Sequence, residues 1–307
     1  MDKLKTNIHL SIMPTYKCNY HCKYCYLGDM TKDNTILNLN TVSNKIQEID
    51  KRYNIDNVCI YGGEVSLLDK KYLLDLTKIL NKYNISLVTN LSNDWVVDFC
   101  LINDIRLCVS LNEERPFYNE TLTKLRKLKH IKNISLSIVI LPSLITDEQI
   151  EKAFDIYEEL GFEVLFIPYH PSITSKEVVD IKSHIFEESL MKFLKENNKR
   201  NNPITISNEI ILKDVNYEPT SNKFLFINPN GDYSSVKYDD KGIESFITFN
   251  SLDEYDEFCN NEKTLYYNKC HDCKFYGKCK AEHLIFNGYE KSCSGLYHCL
   301  DQYCVDK

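Results

Sequence analysis

The sequence lacks any apolar run long enough to cross a bilayer, and this absence excludes a membrane-spanning helix. Its first residues also lack an apolar segment followed by a small-residue cleavage site, so we expect no signal peptide and a cytoplasmic protein. An excess of positive charge is missing too, because the net charge is −7. A nucleic-acid partner that is held by bulk charge is therefore not expected, and neither is a membrane.

Cysteine, in contrast, is abundant. The chain of 307 residues holds thirteen cysteines, and none of them lies between Cys108 and Cys259. In a cytoplasmic protein such a content indicates metal ligation or redox chemistry more than structural disulfides. The 43% of hydrophobic residues predicts a packed core rather than disorder.

The first two thirds of the chain alternate strand-like and helix-like patterns. Six short runs rich in β-branched or aromatic residues predict buried strands at 7–13, 57–62, 85–90, 105–111, 134–141 and 163–169. Helix-like stretches lie between them at 38–53, 69–83, 93–101, 117–130 and 147–160. Such βα repeats predict an α/β fold with a parallel sheet, either doubly wound or curled into a partial barrel.

The pattern changes after Tyr169. An amphipathic helix is followed by "KFLFINPNGDYSSVKY", which predicts a β-hairpin that turns at Asn228 to Gly231. Seven of the thirteen cysteines follow, beginning at Cys259. We therefore predict two domains, 1–199 and 200–307.

The first cysteine group is Cys18, Cys22 and Cys25, in the stretch "PTYKCNYHCKYCYLGD" directly after the first predicted strand. The loop after a strand of a parallel sheet lies at the edge where ligands bind. Thiolates suit iron–sulfur clusters or zinc. Three thiolates on a four-iron cluster leave one iron open for a further ligand, whereas a zinc ion would borrow a fourth ligand such as His21.

This stretch resembles the signature of radical S-adenosylmethionine (SAM) enzymes, in which an aromatic residue precedes the last cysteine, as Tyr24 does here. The resemblance implies a 4Fe–4S cluster on the three cysteines, with SAM at the open iron. In this family a "GGE" stretch after the second strand receives the methionine amino group of SAM. The matching residues are Gly62, Gly63 and Glu64.

The later strands resemble the family less closely. "CVSLN" is similar to a fourth-strand stretch beside the SAM ribose and carboxylate, which makes Ser110 and Asn112 candidates, with Asn112 in place of the usual aspartate. "LVTNL" is similar to a strand end that faces the substrate cavity, and Leu91 replaces its glycine. At the sixth strand end, Pro168 would lie beside the adenine or belong to the core.

One basic residue of the family is not in register. An arginine often follows the fourth-strand serine by about a dozen residues, and here only Arg115, Lys124 and Arg126 lie nearby. We expect these three to be solvated charges on a helix.

The C-terminal cysteines resemble the SPASM extension of radical SAM enzymes that modify peptides and proteins. Its full form binds two auxiliary clusters, but His283 stands at the fourth core position and Val236 where a cysteine after the hairpin glycine is expected. The resemblance then implies one auxiliary 4Fe–4S cluster on Cys270, Cys273, Cys279 and Cys293. Cys299 or Cys259 as the fourth ligand, and structural zinc in place of the cluster, are the alternatives.

The resemblance implies a partial (β/α)6 barrel of parallel strands with a small C-terminal cysteine-rich, SPASM- or twitch-like domain. It also implies that one electron, from a donor such as flavodoxin or ferredoxin, cleaves SAM to methionine and a 5′-deoxyadenosyl radical. That radical abstracts a hydrogen atom from the substrate. No catalytic acid, base or hydrogen donor is assigned.

Our first hypothesis is a maturase that cross-links, epimerises or oxidises a ribosomally made precursor peptide. Few residues precede the first predicted strand, so we expect the peptide to be recognised by the C-terminal region, by an exposed strand edge or by a separate peptide-recognition protein. The second hypothesis is a dehydrogenase with one auxiliary cluster that acts on a small molecule. The third is a non-catalytic iron–sulfur or zinc scaffold.

Overall fold

The computed structural model describes residues 5–141, 146–169, 172, 174, 184–201, 203, 205, 224–238, 244–274 and 276. Strands and helices alternate in its first part: β1 (Thr6–Ile12), α1 (Leu39–Arg52), β2 (Tyr53–Ile60), α2 (Lys70–Ile79), β3 (Asn84–Thr89), α3 (Trp95–Ile102), β4 (Arg106–Ser110), α4 (Tyr118–Leu128), β5 (Ile134–Ile140), α5 (Asp147–Leu160) and β6 (Glu163–Pro168). The later elements are α6 (His184–Lys199), β7 (Phe224–Ile227), β8 (Tyr233–Tyr238), β9 (Glu244–Phe249) and α7 (Leu252–Cys270).

The strands form one nine-stranded sheet in the order β6-β5-β4-β3-β2-β1-β7-β8-β9. Strands β1 to β6 pair in parallel, each with the next along the chain. The predicted α/β class and the six predicted parallel strands are therefore confirmed. Because these strands are parallel, their C-terminal ends meet at a single edge of the sheet, and the loops that follow them lie side by side.

Helix α1 shows why the helices cover the sheet. Its apolar residues Val42, Ile46 and Ile49 recur every three or four positions and are buried, which places one stripe of the helix in the core. The side chain of Asn38 begins the helix by accepting hydrogen bonds from the backbone N–H groups of Asn40 and Thr41.

Both predicted ends of α5 are confirmed. The Thr146 side chain accepts from the backbone N–H of Gln149, and the Gln149 side-chain oxygen accepts from the backbone N–H of Thr146. These two bonds close the first turn reciprocally. The helix ends at Gly161, whose φ of 69° is the left-handed conformation that glycine adopts without cost.

The predicted hairpin is confirmed as β7 and β8, which pair antiparallel, with Gly231 at a φ of 89° in the turn. Strand β7 also pairs in parallel with β1, and β9 pairs antiparallel with β8. Strands β7, β8 and β9 thus extend the sheet beside β1. The division into domains 1–199 and 200–307 stays a prediction.

None of the helices in the described part of the chain combines the length and the apolar composition that crossing a membrane requires.

Candidate functional site

The three N-terminal cysteines lie in the loop that follows β1, at the C-terminal edge of the sheet. Backbone hydrogen bonds hold this loop on both sides: the Cys18 N–H donates to the carbonyl of Thr31 at 3.1 Å, and the Glu64 N–H donates to the carbonyl of Lys17 at 2.8 Å. The Cys25 N–H donates to the carbonyl of Cys22 at 3.1 Å. We call residues 14–28 the cysteine loop.

The three thiols are half-buried and act on one another electrostatically. Burial raises the pKa of the Cys18 thiol to about 11, and it also raises the pKa of Cys22, against the opposing effect of Arg115. Forming thiolates here therefore requires positive charge from whatever the loop binds, as metal binding provides when it displaces the thiol protons.

The donor set fits a cluster better than a single ion. Among the residues that the structure describes, no three His, Cys, Asp or Glu side chains converge closely enough to hold one metal ion. A zinc ion needs its ligands at about 2.0–2.3 Å from one centre, whereas a four-iron cluster takes each thiolate on a different iron. The cysteine loop thus offers three soft thiol donors, the ligand type that iron–sulfur clusters take.

Two glycines at the end of β2 let the cysteine loop lie against the sheet. A Cβ atom on Gly63 would lie 2.2 Å from the carbonyl oxygen of Lys17 and 2.4 Å from that of Tyr16. Gly62 has a φ of +130°, and a Cβ there would lie 2.8 Å from the carbonyl oxygen of Thr15. The close neighbour that these glycines admit in the structure is the loop backbone itself, and their contact with SAM stays a prediction.

Glu64 is only 1% exposed, and its carboxylate is bonded to the end of the next strand. One oxygen accepts from the backbone N–H of Ser66 at 2.9 Å and from the hydroxyl of Thr89 at 2.7 Å, and the other accepts from the backbone N–H of Asn90 at 2.6 Å. A buried carboxylate is tolerated only with such partners. Since two carboxylate oxygens offer about four acceptor positions, these three bonds leave capacity for one more donor.

Asn90 connects Glu64 to the cysteine loop. Its side-chain amide donates to the side-chain oxygen of Asn19 at 3.0 Å and lies 4.0 Å from the Cys18 sulfur. The backbone N–H of Tyr20 also donates to that sulfur, at 3.4 Å. The end of β3 is therefore part of the support of the loop, which the strand pattern alone did not predict.

Leu91, which stands where the family resemblance has glycine, adopts a left-handed backbone conformation. Its φ is 59°, in the left-handed region, although its side chain is buried. The ammonium group of Lys124 donates to the Leu91 carbonyl at 3.0 Å and pairs with Asp94 at 2.7 Å. The prediction that Lys124 is a solvated helix charge is therefore wrong, because its ammonium group holds the loop after β3 at Leu91 and Asp94.

Arg115 also departs from the prediction of a solvated helix charge. It lies before the start of α4, and its guanidinium lies 6.0 Å from the ring centre of Tyr20 in the cysteine loop. Burial lowers the pKa of Arg115, but Tyr24, Cys22 and Cys18 outweigh this effect and raise it. The following Pro116, which disfavours helix at the preceding residue, was the local sign that Arg115 precedes the helix.

Arg126, in contrast, is a surface charge as predicted. It forms two hydrogen bonds with the carboxylate of Glu159, at 2.7 and 2.8 Å, and both side chains are exposed.

Tyr24 lies in the cysteine loop beside Arg115. Burial raises the pKa of its phenol, with Arg115 opposing. Although the two groups interact, neither the Tyr24 hydroxyl nor the Arg115 Nε has a hydrogen-bond partner of ordinary geometry among the described residues, and both atoms are buried. Unpartnered buried polar atoms cost about 1–3 kcal/mol each, so this side of the loop is suited to a further acceptor.

The remaining predicted SAM contacts lie at strand ends of the same edge. Ser110 is the last residue of β4, and Pro168 is the last residue of β6. Asn112 is 3% exposed, and its side-chain amide bonds to the backbone of Val139 in both directions, at 2.7 and 3.1 Å. Asn112 therefore extends the pairing of β4 with β5, and its contact with SAM stays a prediction.

Gly28 is a site residue that the sequence patterns missed. Its φ is +49°, and a Cβ atom there would lie 2.1 Å from the carbonyl oxygen of Thr174. The hydroxyls of Ser172 and Thr174 both donate to the carbonyl of Tyr26. The chain after β6 therefore packs on the end of the cysteine loop, which an isolated glycine in "CYLGD" did not reveal.

The C-terminal cysteines are described only in part. Cys270 is the buried last residue of α7, and the Cys273 N–H donates to its carbonyl at 2.9 Å. Cys279 and Cys293 lie outside the described residues, as do His283, Cys299 and Cys304. The auxiliary cluster stays a prediction.

Cys259 lies within α7, eleven residues before Cys270. At the helical rise this separates the two by about 16 Å along the helix axis. That distance excludes Cys259 as a ligand of the same four-iron cluster as Cys270. Burial raises the pKa of the Cys259 thiol to about 12, which agrees with a packed thiol.

Residues 12–185, more than half of the chain, match the sequence pattern of the Radical SAM superfamily. A protein of Methanocaldococcus jannaschii that is named as a glycyl-radical enzyme activating enzyme is 21% identical over 59% of this chain and 76% of its own length.

Two solved structures are similar in fold. The structure of anSMEcpe with bound AdoMet and Cp18Cys peptide gives a TM-score of 0.68 at 16% identity, and the match covers 98% of this chain and 96% of that chain. The structure of Streptococcus suis SuiB bound to precursor peptide SuiA gives a TM-score of 0.59 at 14% identity, covering 75% of this chain and 59% of that chain. At these identities the likeness shows the fold, and it agrees with the predicted partial barrel.

Proposed function

The chain belongs to the radical SAM superfamily, and from that premise we propose that it modifies a ribosomally made peptide. Membership makes the protein an enzyme and implies a 4Fe–4S cluster and SAM as its cofactors. The cluster, when bound, supplies the electron that cleaves SAM, and the resulting 5′-deoxyadenosyl radical abstracts hydrogen from the substrate. Cross-linking, epimerisation or oxidation of the peptide are the reactions that this proposal includes.

In this proposal, Cys18, Cys22 and Cys25 hold the SAM-binding cluster. The cysteine loop supports this role because hydrogen bonds to the end of β2 and the glycine contacts fix it. SAM lies along the same edge of the sheet, where the following residues are found: Tyr24, Gly62, Gly63, Glu64, Ser110, Asn112 and Pro168. The site has to exclude water when it is loaded, because a carbon radical reacts with whatever lies beside it.

The peptide substrate is supported by a single kind of observation, the likeness in fold to anSMEcpe with its bound peptide and to SuiB with its precursor peptide. The sheet offers two edges, β6 and β9, that an extended peptide segment would join by backbone hydrogen bonds. Recognition by the C-terminal region or by a separate protein is the other route.

The redox partners complete the proposal. Cys270, Cys273, Cys279 and Cys293 would hold an auxiliary 4Fe–4S cluster, which would supply redox chemistry to the substrate, and flavodoxin or ferredoxin would be the electron donor. A cytoplasmic location agrees with thirteen cysteines and with clusters that oxygen destroys.

A second candidate function is suggested by the relative from Methanocaldococcus jannaschii, whose name describes an enzyme that activates a glycyl-radical enzyme. The substrate would then be a glycine of a folded partner protein. Such a reaction leaves a radical on the partner, whereas a maturase leaves a changed peptide mass. A small-molecule dehydrogenase, the third candidate, leaves no radical on a partner protein and does not change the mass of a peptide.

The test uses anaerobically reconstituted protein with SAM, dithionite and the peptide encoded beside this gene. We expect 5′-deoxyadenosine to form and the mass of the peptide, or its pattern of deuterium exchange, to change with it. The control is Cys59→Ala, which removes a thiol of β2 that lies outside the cysteine loop. A wild-type protein that makes 5′-deoxyadenosine but leaves the peptide unchanged contradicts the peptide substrate.

A further inference from the structure

Arg115 is a cation enclosed by the cysteine loop. Its guanidinium lies over the Tyr20 ring, 6.0 Å from the ring centre, and interacts with the Tyr24 hydroxyl and with the thiols of Cys22 and Cys18. The whole side chain is half-buried, but its Nε atom is shielded from water. All of these neighbours belong to the loop that is proposed to hold the cluster.

The largest electrostatic influences on the Arg115 charge come from Tyr24, Cys22 and Cys18. In the described ranges of the chain, no Asp or Glu forms an ion pair with this side chain, and its Nε makes no hydrogen bond. A guanidinium keeps its proton in proteins, so the charge cannot be lost to relieve burial. An unpaired, partly buried cation is costly, and an anion bound beside Cys22 would reduce that cost.

The other positive side chains of the loop are placed differently. Lys17 and Lys23 are exposed, and water and salt screen their charges. Arg115 enters from a different part of the chain, beyond β4, and is fixed there by its backbone N–H, which donates to the carbonyl of Asn112 at 3.0 Å. The backbone at Arg115 is thus held in the turn that follows β4.

We propose that the anion is the thiolate-ligated cluster and that Arg115 is a positioning residue that sets the potential at which this cluster accepts an electron. The inference rests on the proposed cluster at Cys18, Cys22 and Cys25. A cluster with three thiolate ligands is an anion, and reduction adds a further negative charge. A fixed cation beside one ligand stabilises the reduced form more than the oxidised form, because the attraction grows with the charge.

The direction of the effect follows from this geometry. Removing the charge with Arg115→Gln shifts the midpoint potential of the cluster to a more negative value, so that at a fixed potential a smaller fraction is reduced. Arg115→Lys keeps the charge on a more flexible side chain and shifts the potential less. Arg126→Gln is the matched control, since Arg126 is exposed and pairs with Glu159.

The experiment is a redox titration of reconstituted protein, followed by the EPR signal of the reduced cluster, without SAM and in a background of Cys270→Ala and Cys273→Ala. This background removes two predicted ligands of the auxiliary cluster. Iron content and far-UV circular dichroism confirm loading and folding of each variant. We expect wild type and Arg126→Gln to share the highest midpoint potential. Arg115→Gln has the lowest, and Arg115→Lys lies between them.

An unchanged potential in both Arg115 variants, with normal loading, overturns the inference. If SAM affinity falls in those variants while the potential stays constant, Arg115 instead binds an anionic group of SAM, and the inference is equally overturned. Wild-type protein that assembles no cluster contradicts the proposed function itself, so the two failures are distinct. If Arg115→Gln does not assemble a cluster, the midpoint potential of Arg115→Lys is compared with that of wild type, and an unchanged value overturns the inference.

Discussion

Glu64 is the residue whose replacement reports most directly on how the site is held together. Its buried carboxylate accepts from Ser66, Thr89 and Asn90 at 2.6–2.9 Å and so ties the end of β2 to the end of β3. In Glu64→Gln, an amide NH2 group replaces one carboxylate oxygen. Because this group cannot accept a hydrogen bond, it faces at least one of the N–H or O–H donors that bonded to that oxygen. One charge-assisted bond is then lost and one buried donor is left without an acceptor.

The magnitude follows from these bonds. Hydrogen bonds to a charged group contribute about 1.5–3 kcal/mol, and an unsatisfied buried donor costs about 1–3 kcal/mol. We therefore expect Glu64→Gln to lower the free energy of unfolding by about 2.5–6 kcal/mol, the sum of these two effects. That is a large part of the 5–15 kcal/mol typical of a folded protein.

The assay is urea unfolding of the reduced apoprotein, followed by circular dichroism. Glu159→Gln is the control, because this exposed carboxylate pairs with Arg126 at the surface, and we expect it to cost less than about 1 kcal/mol. Equal unfolding midpoints and slopes for Glu64→Gln and wild type would refute the role given to this carboxylate.

Three further predictions concern the surroundings of the site. In Gly63→Ala the new Cβ would lie 2.2 Å from the Lys17 carbonyl oxygen, so that the cysteine loop is displaced. We expect the iron content after reconstitution to fall, and a wild-type iron content in this variant would contradict the prediction. Lys124→Met removes the bond to the Leu91 carbonyl and costs about 1–2 kcal/mol in urea unfolding; no change would show that the bond contributes nothing. We expect iodoacetamide at pH 8 to alkylate Cys59 at least about tenfold more slowly in folded apoprotein than in urea. The reason is that burial raises the pKa of this thiol to about 12 and leaves less thiolate. Peptide mass mapping measures both rates, and equal rates would contradict the burial of Cys59.

The parts of the fold that could be predicted are those that depend on residues close together in the sequence. The βα alternation, the Thr146 and Gly161 ends of α5 and the hairpin at Gly231 depend on spacing and on backbone preferences within a few positions. The cysteine spacing is equally local, and the family pattern that matches residues 12–185 agrees with it.

The supports of the candidate site could not be predicted in this way because they join distant residues. Glu64 bonds to Asn90 across 26 positions, and Asn90 reaches Asn19 across 71. Arg115 was assigned to a helix surface because a charge near a helix-like stretch is usually solvated, yet the chain after β4 brings it to the cysteine loop. Local patterns carry no information on such contacts.

Leu91 shows a third situation. The resemblance identified its position as one where the family has glycine, and in the structure the backbone there is left-handed, with a φ of 59°. Glycine adopts this conformation without cost, whereas leucine is strained in it. Its carbonyl is held by Lys124, a contact that offsets the strain and that spacing alone does not reveal.

The central claim, that the cysteine loop holds a four-iron cluster, is tested most directly by the iron and sulfide content of anaerobically reconstituted protein. Wild type is compared with the variant in which Cys18, Cys22 and Cys25 are all replaced by alanine. We predict that the variant loses about four irons and four sulfides per chain, leaving about four of each where the auxiliary cluster is present. Equal iron and sulfide contents in the two proteins would contradict the claim.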